Sequence, residues 1–302
     1  MRHVIDRYAA PNTNFVPVAG PHNGLGARSA PKDAGNQPRG SAGISRGRAS
    51  WLVGVLVLMP ALASAQAEVR VFTGGAMSGP VMEAGNAFAK SSGQRVVYVT
   101  DTTGALQKRL ASGERADVIV VTSTAIEALQ KDNRVVAGSR VDLARALIGV
   151  GVRAGAPSPD LSTPDTFKAA LLKARSVSYV NPASGGTSGT YFEGLLQRMG
   201  IAEAMKPKIV YRTQGSEVAA AVASGAAELG ITFTSELQPN PGVKVAGTLP
   251  AAIQLPTIYS AALLTNAGSA DAARAFLRAL AGAEGRAAVK KAGLEPLGPP
   301  GR

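Results

Sequence analysis

Tyr179-Val180-Asn181-Pro182-Ala183-Ser184-Gly185-Gly186-Thr187-Ser188-Gly189-Thr190-Tyr191 is the stretch on which the fold turns. A short β-type run over residues 176–180 feeds an Asn-Pro turn. Behind it, Tyr191, Leu195, Leu196 and Met199 fall at helical spacing. A strand that empties through Gly, Ser and Thr into a helix leaves free backbone N–H groups facing whatever lies in front of that helix, which suits an anion or a carboxylate. Gly185, Gly186 and Gly189 let the backbone approach a ligand, and Ser184, Thr187 and Ser188 can add hydroxyl donors. The plainer reading is an ordinary N-cap and turn, where Ser, Thr and Asn are favoured anyway.

The same arrangement recurs along the chain. A strand at residues 68–72 runs into the small-residue loop Thr73-Gly74-Gly75-Ala76-Met77-Ser78-Gly79-Pro80, and Val81, Ala84, Phe88 and Ala89 then predict a helix. A strand at 96–99 ends in Thr100-Asp101-Thr102-Thr103-Gly104 before a helix through Leu106 and Leu110. A strand at 208–211 ends in Thr213-Gln214-Gly215-Ser216 before a helix over 217–224. Residues 116–121 read as a buried strand, and 228–234 as a short strand with Ser235 and Glu236 behind it. Repeated strand, polar loop and helix in an α/β chain point to one shared site, because ligands gather at strand C-terminal ends in such sheets. The apolar segment 141–152 predicts a strand passing between two domains, residues 253–261 the return crossing, and 296–302 a frayed end.

Residues 1–45 are rich in Gly, Pro, Asn, Ser and Ala without an apolar period and predict a disordered leader. A basic segment around Arg46 and Arg48, an apolar run over 51–59 and Ala61-Leu62-Ala63-Ser64-Ala65 have the layout of a signal peptide over 46–65, cleaved near Ala65 for export to the periplasm. Of 32 Lys/Arg and 20 Asp/Glu, seven and two fall in residues 1–65, leaving 25 and 18 and a net charge of +7. Those charges are scattered, so no nucleic-acid surface is expected.

There is no cysteine, and both histidines, His3 and His22, lie in the leader. That argues against most zinc, copper and haem sites, so no metal or cofactor is expected. It also removes the commonest general base, so the reading is a binding protein and not an enzyme. Among the acids, Asp101, Asp117, Glu193, Glu217 and Glu236 are available for catalysis, but no pair stands out by spacing. Asp117 reads as a structural cap, and Asp101 as a turn residue.

Val71-Phe72 with its small-residue loop, Gly113 followed by Ala116-Asp117-Val118, and Glu228-Leu229-Gly230-Ile231 recur in an order and spacing that resemble the periplasmic molybdate-binding-like family of extracellular solute-binding proteins. The resemblance implies an α/β, two-lobed periplasmic-binding-protein type II fold with mixed sheets and a ligand cleft between the lobes. Lobe 1 would comprise residues 66–148 and 256–302, and lobe 2 residues 149–255. It also implies an oxyanion held by hydroxyls and main-chain amides. Carried over, the first-loop serine falls on Ala76, flanked by Gly75 and Met77, and the second-loop serine on Thr103 beside Thr102. The inter-lobe amide falls near Thr187 or Ser188, the fourth-loop amide near Gly215, and the closing tyrosine on Phe233. Ala76 and Phe233 carry no hydroxyl, which costs a tetrahedral dianion roughly 1–3 kcal/mol for each lost charge-assisted bond. Ser184 and Thr187 could replace them, or the ligand could be a small carboxylate.

The resulting expectation is a monomeric, exported receptor that binds a small anion and delivers it to an ABC permease in the inner membrane. The alternatives are a dehydratase- or lyase-type enzyme on the same fold, and a ligand sensor working without a transporter.

Overall fold

A computed structural model describes residues 68–298. The leader and signal segment expected over residues 1–65 lie outside the described residues. The chain first builds β1 (Glu68–Gly74), α1 (Gly75–Ser92), β2 (Arg95–Asp101), α2 (Thr103–Ala111), β3 (Val118–Thr122), α3 (Ser123–Lys131) and β4 (Val141–Ala146). It then passes through β5 (Ile148–Arg153), α4 (Pro164–Lys173), β6 (Val177–Val180), α5 (Thr187–Arg198), α6 (Ala202–Met205) and β7 (Ile209–Arg212). Next come α7 (Gly215–Ser224), β8 (Leu229–Phe233), α8 (Thr234–Leu237) and β9 (Val243–Thr248). The chain returns with β10 (Thr257–Leu263), α9 (Ala270–Ala281), α10 (Ala283–Lys291) and β11 (Glu295–Pro296).

Two mixed sheets result. The first runs β11-β4-β10-β3-β1-β2 and the second β7-β6-β8-β5-β9. In the first, β1 is parallel to β2 and β3, while β10 is antiparallel to β3 and β4. In the second, β6 is parallel to β7 and β8, and β5 is antiparallel to β8 and β9. The fold is α/β and two-lobed. Every residue of β3, β6 and β8 is buried, as strands covered on both faces require. Behind β6, Phe167 and Phe192 are fully buried and meet edge-on at 6.5 Å, each burial contributing about 1.5–3 kcal/mol.

The segment expected as one strand over 141–152 is two. β4 belongs to the first sheet and β5 to the second, with Leu147 between them and Ile148 already paired to Phe233. The second crossing, residues 249–256, lies against the first. Gln254 Nε2 donates to the Ile148 carbonyl at 2.8 Å, and its Oε1 accepts from the Ile148 N–H at 3.2 Å. One side chain thus fastens the two connections together.

The loop expected over residues 73–80 is also absent. β1 ends at Gly74 and α1 starts at Gly75, so Pro80 sits inside the helix. Proline has no N–H for the carbonyl four residues back, which here belongs to Ala76. That carbonyl accepts instead from Ser235 Oγ of α8, at 2.8 Å. At the chain end, Pro296 is paired in β11 and Leu297 N–H donates to Leu143 O at 2.9 Å, so the fraying expected from residue 296 does not begin there.

Candidate functional site

Four helices, α1, α2, α5 and α7, open on a single cavity between the lobes. Gly75, Thr102, Thr103, Gly186, Thr187, Ser188 and Gly215 line it, together with Asp101, Val180, Gln214, Phe233, Glu236 and Tyr259. No Lys or Arg is among the lining residues, so an anion here relies on N–H groups, hydroxyls and helix dipoles. The cavity is about 20 Å³, room for a water or two. A groove of about 510 Å³ adjoins it and shares Gly75, Gln214 and Glu236 with it.

Of the ten ligand-binding candidates read from the sequence, Gly75, Thr102, Thr103, Thr187, Ser188, Gly215 and Phe233 surround the cavity. Ala76 and Met77 are buried and lie outside the lining. Ser184 is also outside it. Its hydroxyl donates to Asn181 O at 2.7 Å and to Thr213 O at 3.1 Å, so it holds its own turn. Gly189 serves packing, because a Cβ there would fall 1.8 Å from the Val180 carbonyl oxygen.

The lobes meet directly at the rim. Thr102 Oγ1 accepts from Ala105 N–H at 3.1 Å as the cap of α2, and donates to the Ser184 carbonyl in the other lobe. Two residues on, Gly104 N–H donates to Gly185 O at 3.1 Å. A Cβ on Gly104 would stand 2.8 Å from Gly185 Cα, so only two glycines allow this approach. Gly185 also holds φ at +76°, a conformation glycine adopts freely.

Glu236 was one of several acids in the sequence that nothing distinguished, and the fold singles it out. α8 carries it into the junction of cavity and groove, beside the first residues of α1 and α7. A Cβ on Gly75 would lie 2.4 Å from its Oε1, and a Cβ on Gly215 would lie 2.1 Å from its Oε2. The two glycines make the room for the carboxyl. Thr232 Oγ1 donates to Oε2 at 2.5 Å, and Ser188 Oγ lies 3.2 Å from Thr232 Oγ1. With its own proton given to the carboxylate, Thr232 accepts from Ser188, and the chain of hydroxyls has one direction. Burial pushes the Glu236 pKa up to about 7 from its ordinary 4.5, against the pull of the Thr232 hydroxyl and the Phe233 N–H. A carboxyl poised there can accept and return a proton at neutral pH.

The other acids are accounted for. Asp117 accepts from the N–H groups of Arg70 (2.7 Å), Gly268 (2.7 Å) and Ser269 (3.1 Å) and is structural. Glu217 accepts from Thr213 at the start of α7, and Glu193 receives the Tyr179 hydroxyl. Asp101 lines the cavity while accepting from Thr102 N–H at 2.8 Å. Tyr191, in the first turns of α5, donates to Ile253 O at 2.7 Å, tying that helix to the second crossing. Sequence reading missed Tyr259, a strand residue with a core-like pattern. Its ring stands edge-on to Phe233 at 5.7 Å, which brings a phenol to a wall whose Phe233 has none.

Known proteins share this fold. The bacterial extracellular solute-binding protein family matches residues 69–295. An aconitate isomerase of a Pseudomonas species is 35% identical over 233 residues, 75% of this chain and 87% of that protein. The molybdate-binding protein ModA of Azotobacter vinelandii is 27% identical over 242 residues, 77% and 92% respectively. The solved periplasmic molybdate-binding protein of Azotobacter vinelandii superposes with a TM-score of 0.62 at 23% identity, covering 77% of this chain and all of that one. A two-lobed fold, a cleft ringed by helix N-termini and a match over nearly all the described residues lead to one conclusion: the chain belongs to the bacterial extracellular solute-binding protein family, with its molybdate-binding-like relatives.

Proposed function

We propose that the cleft binds a small unsaturated polycarboxylate of the aconitate type and shifts a proton along it, so that the protein is an isomerase on a solute-binding scaffold. The observation that carries this reading is the Glu236 carboxyl, enclosed at the starts of α1 and α7 where it borders both cavity and groove. A tetrahedral dianion seated there would meet a carboxyl, and would lack hydroxyls at Ala76 and Phe233. A branched carboxylate has another option: one carboxylate faces the N-termini of α2 and α5 while the rest extends past Glu236 into the groove. The aconitate isomerase relative supports the same substrate class.

The chemistry balances without oxidant, metal or water. Glu236, ionised, takes a proton from the methylene that lies between a carboxylate and the double bond. The electron pair spreads over the three-carbon unit and its carboxylates, and the N–H groups of the helix starts stabilise the added charge. Glu236 then returns the proton to the far end of the unit. The double bond moves by one position, and the conformer in which the former methylene was held fixes its new geometry.

A second reading rests on the family itself. The same carboxylate would be bound without reaction, in a monomeric protein exported through a signal peptide cleaved near Ala65, and handed to an ABC permease in the inner membrane. The test is to incubate the protein with cis-aconitate in D2O and follow the carbon-bound hydrogens by NMR. The isomerase reading expects cis–trans interconversion with deuterium uptake, reduced about 10²–10⁴-fold in Glu236→Gln while binding persists. Binding without exchange refutes catalysis and leaves the receptor. Molybdate binding with every carboxylate ignored refutes both.

A further inference from the structure

Tyr259 is 3% exposed, and among the described residues its hydroxyl makes no hydrogen bond. Buried polar groups nearly always have a partner, so this one asks for a reason. Five other side-chain atoms are sealed in the protein without a partner, at Arg70, Gln94, Tyr98, Thr100 and Thr234, but the Tyr259 hydroxyl is not among them. It keeps a little open surface, and the space its residue lines is the cleft cavity.

The backbone supports the same aim. β10 is in regular register with β3 through Tyr259, but its pairing with β4 shifts between Tyr259 and Ser260. Such irregularities re-aim a side chain, and they concentrate beside functional sites. The ring is fixed on two sides, edge-on to Phe233 and against Gly74, where a Cβ would come within 3.1 Å of Tyr259 Cε1. Gly74 ends β1 directly before α1, so a larger residue there would displace the phenol. Glu236 lies near enough to act on the phenol electrostatically; burial first, and that charge second, keep the hydroxyl protonated. A neutral, immobilised O–H beside a carboxyl is a donor without an acceptor.

We infer that the Tyr259 hydroxyl donates to a carboxylate oxygen of the bound ligand and holds that ligand beside Glu236. The inference rests on the carboxylate reading of the cleft and assigns Tyr259 a positioning role on the wall beside Phe233 and Glu236. Phe233, its neighbour, presents only a ring, and the Ser188 and Thr232 hydroxyls are spent on each other and on Glu236. The donor also discriminates. A planar carboxylate oxygen pointing at β10 is accepted, whereas an alkyl group at that place would leave the hydroxyl buried and unpaired.

The test is Tyr259→Phe, which keeps the ring and removes the oxygen. Calorimetry would use propane-1,2,3-tricarboxylate, a saturated probe that cannot isomerise, alongside cis-aconitate exchange in D2O. The expected result is an unchanged ligand-free melting midpoint, with affinity for the saturated probe weaker by about ten- to a hundred-fold. Equal affinity in wild type and variant overturns the assignment and leaves the isomerase reading standing. Weakened binding in the variant, with no exchange in wild type, upholds the assignment and overturns the isomerase reading. Failure of the wild type to bind the probe or cis-aconitate overturns both.

Discussion

Glu236→Gln should make the protein more stable above neutral pH, and the size of the gain follows from the site. Burial raises the carboxyl from 4.5 to about 7 in the folded protein. A raised carboxyl pKa means that ionisation is harder in the folded chain than in the unfolded one. The associated stability is complete below about 4.5 and is lost as pH rises through about 7. The difference of about 2.5 units corresponds to about 3 kcal/mol at 1.36 kcal/mol per unit. Glu236 keeps some exposure towards the cavity and groove, so about 2 kcal/mol is the better expectation. Glutamine cannot ionise, and its amide oxygen can still accept from Thr232. Denaturant unfolding of wild type and variant at half-unit steps from pH 5 to 8.5 gives the comparison. The stability difference should widen with pH and level off above about 7.5, with the variant about 4–8 °C higher in melting midpoint at the plateau. Because all other titrating groups are common to both proteins, they cancel. A difference that stays flat across this range would refute the reasoning that a carboxyl is held near neutrality in the cleft.

Other perturbations separate the parts of the site. Gly104→Ala should weaken ligand binding about ten-fold or more, since its Cβ would meet Gly185 Cα at 2.8 Å, and small-angle scattering should show a more open molecule; unchanged affinity would show that the rim contact does not govern closure. Gln254→Ala leaves the Ile148 N–H without its partner, while the Ile148 carbonyl keeps the Leu249 N–H, and should cost about 1–3 kcal/mol in denaturant unfolding. Asp117→Ala removes the acceptor of three backbone N–H groups and should lower stability by about 3 kcal/mol or more, while ligand affinity of the folded protein, read by calorimetry, stays as in wild type. Binding of propane-1,2,3-tricarboxylate should tighten as pH falls from 8 to 6, because Glu236 loses its charge below about 7, and Glu236→Gln should abolish that slope.

The strand-to-helix junctions were legible because small polar residues leave a mark wherever a backbone must stay open: Thr102-Thr103, Thr187-Ser188 and Gly215 all reach the cavity. Their local form was misread where one residue carried two meanings. Pro80, with Gly74, Gly75 and Gly79, spelled a loop, yet the helix starts at Gly75 and accepts the proline because Ser235 takes the carbonyl it frees. The run over 141–152 is broken by Gly149 and Gly151 but by nothing at Leu147, and only the pairing of Ile148 with Phe233 shows that the chain changes sheets there. Glu236 and Tyr259 were out of reach for a different reason. Nothing near Glu236 in sequence sets it apart from Glu217, and Tyr259 alternates in its strand like any core residue. The significance of Glu236 comes from Gly75 and Gly215, 161 and 21 residues before it, which clear the space its carboxyl fills, and that of Tyr259 from Gly74 and Phe233 beside its ring.

The proline in α1 also makes the contacts between the two lobes unequal. At the rim, Ser184 and Gly185, whose carbonyls accept from Thr102 and Gly104, are half-buried residues within reach of water. Ala76 is 2% exposed, and its carbonyl, if parted from Ser235 without a replacement, would be a bare acceptor. Thr234, next to Ser235, bonds Leu147 O at the crossing itself. The contacts across the cleft are therefore unequal: the rim bonds end on half-exposed acceptor residues, whereas the bond that answers the proline is buried.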